Sequence, residues 1–140
     1  MATPDAPTST LDDALRRVGD RWTLLIVNAL LDGPARFADL LEAVSPIAPN
    51  ILSARLKHLE NEGLVVAQPY SRRPPRMTYE LTATGHELTG VIRLLAHWAA
   101  GREGADPPRH DACGTSLDVR WYCPTCSVGT DADEVDLRVV

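Results

Sequence analysis

Cysteine is absent from the first 112 residues of this 140-residue chain, and the three it has are Cys113, Cys123 and Cys126. An odd, late cluster of this kind excludes a disulfide-stapled fold and points to a reducing cytoplasm. Long apolar runs are missing too. None approaches the roughly 18 residues that a membrane-spanning helix requires, so no membrane partner is expected. Met1 to Thr10 offers neither a basic start nor an apolar stretch, which speaks against a secretory signal. Aromatic residues make up 5% of the chain, and 13 of its 14 basic residues are arginine, a bias of coding more than of chemistry. No nucleophile–base pair, paired carboxylates or phosphate-cradling glycine loop can be found, so an enzyme is not expected.

What is present is an uneven distribution of charge. The net charge of −5 would discourage nucleic-acid binding if it were spread evenly. Residues 14–104, however, carry 11 Lys/Arg against 9 Asp/Glu, and the acidic excess lies at the two ends.

The order of elements is legible from periodicity and punctuation. Thr10 and Asp13 read as a capping box for a helix from Leu11 to Val18, with Asp12 and Asp13 at its positive end and Arg16 and Arg17 at its negative end. Gly19 ends it, and Asp20 caps a second helix, Arg21 to Leu31, which is apolar nearly all round and therefore belongs in the core. Phe37, Leu40, Leu41 and Val44 mark a short third helix, broken by Ser45-Pro46-Ile47. Pro49 then opens a fourth helix running to Glu62. Leu52, Leu56 and Leu59 fall on one side of it; Asn50, Ser53, Ala54, Lys57 and Asn61 form the opposite stripe, which lacks any carboxylate. After Gly63 the period drops to two, giving strands from Leu64 to Tyr70 and around Met77, Tyr79 and Leu81. Between them Ser71 to Arg76 reads as a stiff turn bearing Arg72, Arg73 and Arg76. Thr82 caps a long helix to about Gly101, with an apolar stripe of Leu88, Val91, Ile92, Leu95, Trp98 and Ala99, and residues 104–108 read as a linker.

Helices followed by a helix with a small, polar outer face and then a basic-tipped hairpin describe a winged helix-turn-helix. A helix fits the major groove of DNA, and its outer stripe must meet base edges without bulk or negative charge. Asn50 and Lys57 suit adenine and guanine edges, Ser53 bonds to either, and Ala54 suits a thymine methyl. The arginines of the hairpin suit phosphates or the minor groove. The bland alternatives are a solvated helix face and a solubilising loop tip. Arg55, on the flank toward the core, suits a structural ion pair as well as a phosphate.

Near the C-terminus, His110-x-x-Cys113 and Cys123-x-x-Cys126 form two matched pairs nine residues apart. Two ligands from each of two tight turns is what a tetrahedral zinc ion takes, and three thiolates plus one imidazole leave no open position. The pattern predicts a zinc ribbon holding one structural Zn2+. His110 is the weakest member, since Asp106 or Asp111 can supply an oxygen ligand instead. Leu117 to Tyr122 and Val135 to Val139 are its expected strands. The fold class expected is therefore α+β, mostly α: a flexible stretch at 1–8, a winged helix-turn-helix domain at 9–104 and a small zinc-ribbon β unit at 105–140.

Several stretches resemble the HxlR-type regulators, relatives of the MarR group. Ala14-Leu15-x-x-Val18-Gly19-Asp20-Arg21-Trp22-Thr23-Leu24-Leu25-Ile26 matches their opening. Arg36-Phe37-x-x-Leu40, Ile47-x-x-Asn50-x-Leu52-x-x-Arg55-Leu56-x-x-Leu59 and Pro74-Pro75-Arg76-x-x-Tyr79-x-Leu81-Thr82-x-x-Gly85 continue it. The resemblance implies a dimeric bacterial transcription factor with the helix from Pro49 in the groove of a pseudo-palindromic double-stranded operator. It also implies a dimer built from the N-terminal helix (Leu11, Leu15) and the long helix (Leu88, Val91, Ile92, Leu95, Trp98). The DNA-binding residues it implies are Pro49, Asn50, Ser53, Ala54, Arg55, Lys57, Arg72, Arg73 and Arg76. Two departures stand out: Ser9 occupies the place of a sensing cysteine, and Ala48 that of a serine N-cap. A small-molecule effector between the Arg21–Leu31 and Thr82–Gly101 helices, a protein-docking role and a metal- or redox-responsive ribbon are the further roles considered.

Overall fold

A computed structural model describes residues 10–135. Residues 11–95 form one compact unit, and Thr10 with residues 96–135 belongs to a second.

In the first unit, helices α1 (Thr10–Val18) and α2 (Arg21–Leu30) are followed by a two-residue strand β1 (Ala35–Arg36) and helix α3 (Phe37–Ala43). Helix α4 (Pro49–Asn61), strands β2 (Val65–Arg72) and β3 (Pro75–Leu81), helix α5 (Ala83–His86) and the N-terminal half of α6 (Leu88–Arg102) complete it. The sheet is antiparallel in the order β1-β3-β2, with Ala35 opposite Tyr79 and Val65 opposite Leu81. Strand β1 is too short to leave a periodic signal in sequence, yet it ties the start of α3 to the hairpin.

The core is drawn from the positions the periodicity marks. Ile26, Val27 and Leu30 of α2, Leu40 of α3, Leu52, Leu56 and Leu59 of α4, and Leu64, Val65 and Leu81 of the hairpin are buried together. Each such side chain contributes about 1.5–3 kcal/mol by leaving water. Helix α2 is not apolar on every side in practice: Leu25 and Asn28 are exposed. Its buried Thr23 donates its hydroxyl to Asp20 Oδ1 at 3.3 Å, which lets a polar residue sit in the core face.

Two further elements differ from the sequence expectation. The expected helix from Thr82 to Gly101 is interrupted at Glu87, dividing it into α5 and α6. Threonines at 82, 84 and 89 and glycines at 85 and 90 weaken helix propensity there, and Thr89 returns its hydroxyl to the His86 carbonyl at 2.7 Å. Gly85 is pinned by a close approach, because a Cβ on it would lie 2.2 Å from the Leu64 carbonyl oxygen. The hairpin turn is also tighter than predicted. Arg72 lies opposite Pro75 and Ser71 opposite Arg76, so the strands run almost to an Arg73-Pro74 tip.

In the second unit, β4 (Trp121–Cys123) pairs antiparallel with β5 (Val128–Thr130), and a 3-10 turn follows at Ala132–Glu134. Leu117–Arg120 is not a strand. The expected strand at Val135–Val139 lies outside the described residues except for Val135. Among the described residues, no helix is long and apolar enough to cross a membrane.

Candidate nucleic-acid interface

Helix α4 is positioned by its own amphipathicity. Leu52, Leu56 and Leu59 are buried, whereas Pro49, Asn50, Ser53, Ala54 and Lys57 are exposed on the other side. At 1.5 Å per residue the 13-residue rod is about 20 Å long. Its N-cap is Ala48, whose side chain makes no capping bond. Pro49 at the first helical position lowers that cost by having no N–H to satisfy.

The helix is locked to α2 through Arg55. Its Nε donates to Asp20 Oδ1 at 2.9 Å and its Nη2 to Oδ2 at 3.3 Å. Asp20 is also the N-cap of α2, accepting from the backbone N–H groups of Trp22 at 3.0 Å and Thr23 at 3.1 Å. Burial pushes the Asp20 carboxyl up, but the Thr23 N–H, the Arg55 guanidinium and the Trp22 N–H outweigh it and hold it below its ordinary value. Of the two roles open to Arg55, the structure shows the ion pair. The far end of α4 is tied to α1: Arg17 Nη1 donates to Glu62 Oε2 at 2.8 Å, and His58 Nε2 lies 2.7 Å from the Arg17 carbonyl oxygen.

Most cations are occupied within the protein. Arg16 and Arg17 pair with Asp12 and Asp13, Arg55 with Asp20 and Arg120 with Asp118. Arg21, Arg36 and Arg102 lie over the rings of Trp22, Tyr70 and Trp98, and Arg109 donates to the Gly114 carbonyl. Among the described residues, the cations left without a hydrogen bond, ion pair or ring are Lys57, Arg72, Arg73, Arg76 and Arg93. Four of these five sit on the α4 stripe or the hairpin.

The distal half of the hairpin, toward its tip, carries a feature that local sequence does not indicate. Tyr70 sits at the register shift in β2, and the Arg36 guanidinium lies 5.0 Å from its ring centre. These two and Arg76 line an open cleft of about 480 Å³. The motif Arg36-Phe37-x-x-Leu40 contained Arg36, but without β1 nothing linked it to the hairpin. Tyr79 also lines this cleft, and burial, then Glu60, raises its phenol above the ordinary value.

The apolar stripe expected to form a dimer divides. Leu88 and Ile92 are half-buried and pack on the protein's own core. Leu11 (65%), Leu15 (55%), Val91 (47%), Leu95 (49%) and Trp98 (64%) remain exposed, joined by Leu94 (46%). A cleft of about 390 Å³ lies between α1, the end of α4 and α5, lined by Ala14, Arg17, Val18, Glu62, Leu64 and Thr84 among others.

The four predicted metal ligands are found as two pairs. His110 Nδ1 lies 3.3 Å from Cys113 Sγ, which is itself 3.2 Å from Thr115 Oγ1. Cys123 Sγ receives backbone N–H groups from Cys126 and Thr125 and a contact from the Cys126 side chain, holding its thiol below the ordinary value. The Thr115 hydroxyl and backbone do the same for Cys113. Among the described residues no three His, Cys, Asp or Glu side chains converge as one metal-holding group.

Comparison with known proteins agrees with this geometry. Residues 17–106 match the family model described as HxlR-like helix-turn-helix. An uncharacterized HTH-type transcriptional regulator of Mycobacterium tuberculosis is 39% identical over 120 residues, covering 81% of this chain and 74% of that protein. The HTH-type transcriptional regulator YodB of Bacillus subtilis is 35% identical over 89 residues, covering 64% of this chain and 80% of YodB. The solved structure of reduced YodB superposes with a TM-score of 0.57 at 33% identity over 71% of this chain and 93% of YodB. The redox regulator HypR in its reduced form gives 0.64 at 25% identity over 68% and 94% of the two chains. The chain belongs to the HxlR-like helix-turn-helix family.

Proposed function

We propose that the protein is a sequence-specific, DNA-binding transcriptional repressor that acts as a homodimer. The observation that carries this reading is the set of unengaged cations: Lys57, Arg72, Arg73 and Arg76 have no partner among the described residues, while most other basic side chains do. Long cations left free beside a carboxylate-free helix stripe are suited to phosphates and base edges. Helix α4 enters the major groove, with Asn50, Ser53, Ala54 and Lys57 toward the bases and Pro49 near the backbone. The β2–β3 hairpin is the wing, set against phosphates or the minor groove. Arg55 acts indirectly, by fixing the angle of α4 against α2.

The exposed side chains of α1 and α6 support a two-fold dimer, which presents two copies of α4 to one face of the duplex. Repression follows from occlusion of promoter DNA by such a dimer. The redox regulation named for HypR does not transfer through the shared domain, because residues 17–106 contain no cysteine.

The test is selection of bound fragments from random DNA with the purified full-length protein. The expected result is an inverted repeat with half-site centres about 10–10.5 bp apart or a multiple of that. Enrichment of no motif overturns sequence-specific binding, and a single unrepeated motif overturns the dimer.

A second role is favoured for the C-terminal unit alone. It is acidic, and Trp121 and Tyr122 are exposed, which suits contact with protein more than with DNA. Removal of residues 105–140 is expected to leave DNA affinity nearly intact; a large loss refutes that assignment.

A further inference from the structure

We propose that His110, Cys113, Cys123 and Cys126 constitute a closed, structural binding site for one Zn2+ ion. The site stands apart from the DNA-binding reading: it lies in the other compact unit, and its cysteines fall beyond the residues that match the family model.

The same turn occurs twice. After His110, the Gly114 N–H returns to the His110 carbonyl at 2.7 Å. After Cys123, the Ser127 N–H returns to the Cys123 carbonyl at 2.8 Å. In both turns the residue that follows the second ligand has a left-handed backbone, Gly114 at φ 70° and Ser127 at φ 56°. A serine seldom adopts that conformation, so its occurrence at the matching position shows the two loops to be one motif built twice. Each loop also sits within an antiparallel pairing: a single bridge of Arg109 with Ser116 around the first, and the β4–β5 ladder around the second.

Within the first pair the donors stand at the spacing a metal requires. A zinc ion holds sulfur at about 2.3 Å and nitrogen at about 2.0 Å, which sets two tetrahedral ligands about 3.5 Å apart. His110 Nδ1 and Cys113 Sγ stand at 3.3 Å. Around Cys123, the N–H groups of Thr125 and Cys126 are already directed at the sulfur, an arrangement that supports a metal-bound thiolate. Three sulfurs and one imidazole nitrogen are soft donors, which select Zn2+ over Mg2+ or Ca2+.

Among its described residues this unit lacks a buried core. No side chain described between residues 101 and 135 is buried. A hairpin of two three-residue strands has no core of its own, and units of this size take their folding energy from the ion. The structure shows the two ligand pairs prepared separately; the ion is what unites them.

The experiment is metal analysis of the full-length, tag-free protein, purified without chelator, combined with counting of reactive thiols before and after denaturation. One zinc per chain, no iron, and three thiols that react only after denaturation or metal removal are expected. With Co2+ in place of Zn2+, the protein should show thiolate charge-transfer bands and the strong d–d bands of a tetrahedral ion. Cys123→Ser and Cys113→Ser should each retain less than about a tenth of the zinc, and His110→Ala should weaken retention about tenfold or more. Asp111→Asn should keep all of it. The proposal is overturned by three freely reactive thiols with no zinc, by iron in its place, by a disulfide in the protein as isolated, or by full zinc retention in Cys123→Ser.

Discussion

Replacing Asp20 by alanine removes two things at once, and the structure separates them. Its carboxylate caps α2 through the Trp22 and Thr23 N–H groups, and it pairs with Arg55. Loss of an N-cap costs about 1 kcal/mol. The ion pair is worth less than its 2.9 Å geometry suggests, because both side chains are more than a third exposed (37% and 39%). Screening by water leaves about 0.5 kcal/mol. Asp20→Ala should therefore destabilise the protein by about 1.5 kcal/mol. Asp20→Asn keeps a competent cap and loses only the charge, so it should cost about 0.5 kcal/mol. Urea unfolding followed by far-UV circular dichroism, at fixed protein concentration so that dimerisation does not shift the midpoint, distinguishes these values. A cost below about 0.5 kcal/mol for Asp20→Ala refutes the capping argument. Equal costs for the two variants refute the division between cap and charge. Because Arg55 is released in both, DNA affinity that rises in step in both would indicate that Arg55 then contacts phosphate.

The same carboxylate sets an acid limit. Its folded pKa is depressed, so its contribution is present above the unfolded value near ~3.9 and is lost as pH falls through the folded value. The stability gap between wild type and Asp20→Asn should be constant from about pH 5 to 8 and close below about pH 4; a gap that widens in acid contradicts the assignment. Gly85→Ala forces a methyl to within 2.2 Å of the Leu64 carbonyl and should cost about 1–3 kcal/mol by denaturant titration, whereas a neutral result would show that α5 moves freely. Leu95→Glu alters an exposed side chain and should change stability by less than about 0.5 kcal/mol at the level of the protomer. In sedimentation velocity it should convert a dimer to a monomer, and an unchanged dimer would place the interface elsewhere.

The parts of this fold readable in the chain are those where one local rule acts alone. Leu52, Leu56 and Leu59 alternate with Asn50, Ser53 and Lys57 at helical spacing, so both the buried and exposed faces of α4 follow directly from periodicity. A change of period marks strands β2 and β3, and position alone marks Asp20 as a cap. Contacts that depend on chain return were not readable. The pairing of Ala35 with Tyr79 sets Arg36 beside Tyr70, and two residues are too few to show a period. The arginine stacked on Tyr70 and the tie between His58 and Arg17 arise from tertiary neighbours that local propensity does not encode. For Arg55, helical geometry left the choice between an ion pair and a phosphate, and only the position of Asp20 shows the pair. Spacing identified four candidate metal donors, and the twin turns around them became visible only in three dimensions.

DNA recognition depends most on a division of labour between α4 and the wing. Affinities of wild type, Asn50→Ala and Arg73→Ala should be measured on a selected operator and on a scrambled duplex across a salt series. Asn50→Ala should lose about 1–3 kcal/mol on the operator and almost nothing on the scrambled duplex. Arg73→Ala should weaken both duplexes alike and flatten the dependence of log K on log salt by about one unit. Equal losses on both duplexes for Asn50→Ala, or an unchanged salt slope for Arg73→Ala, would contradict it.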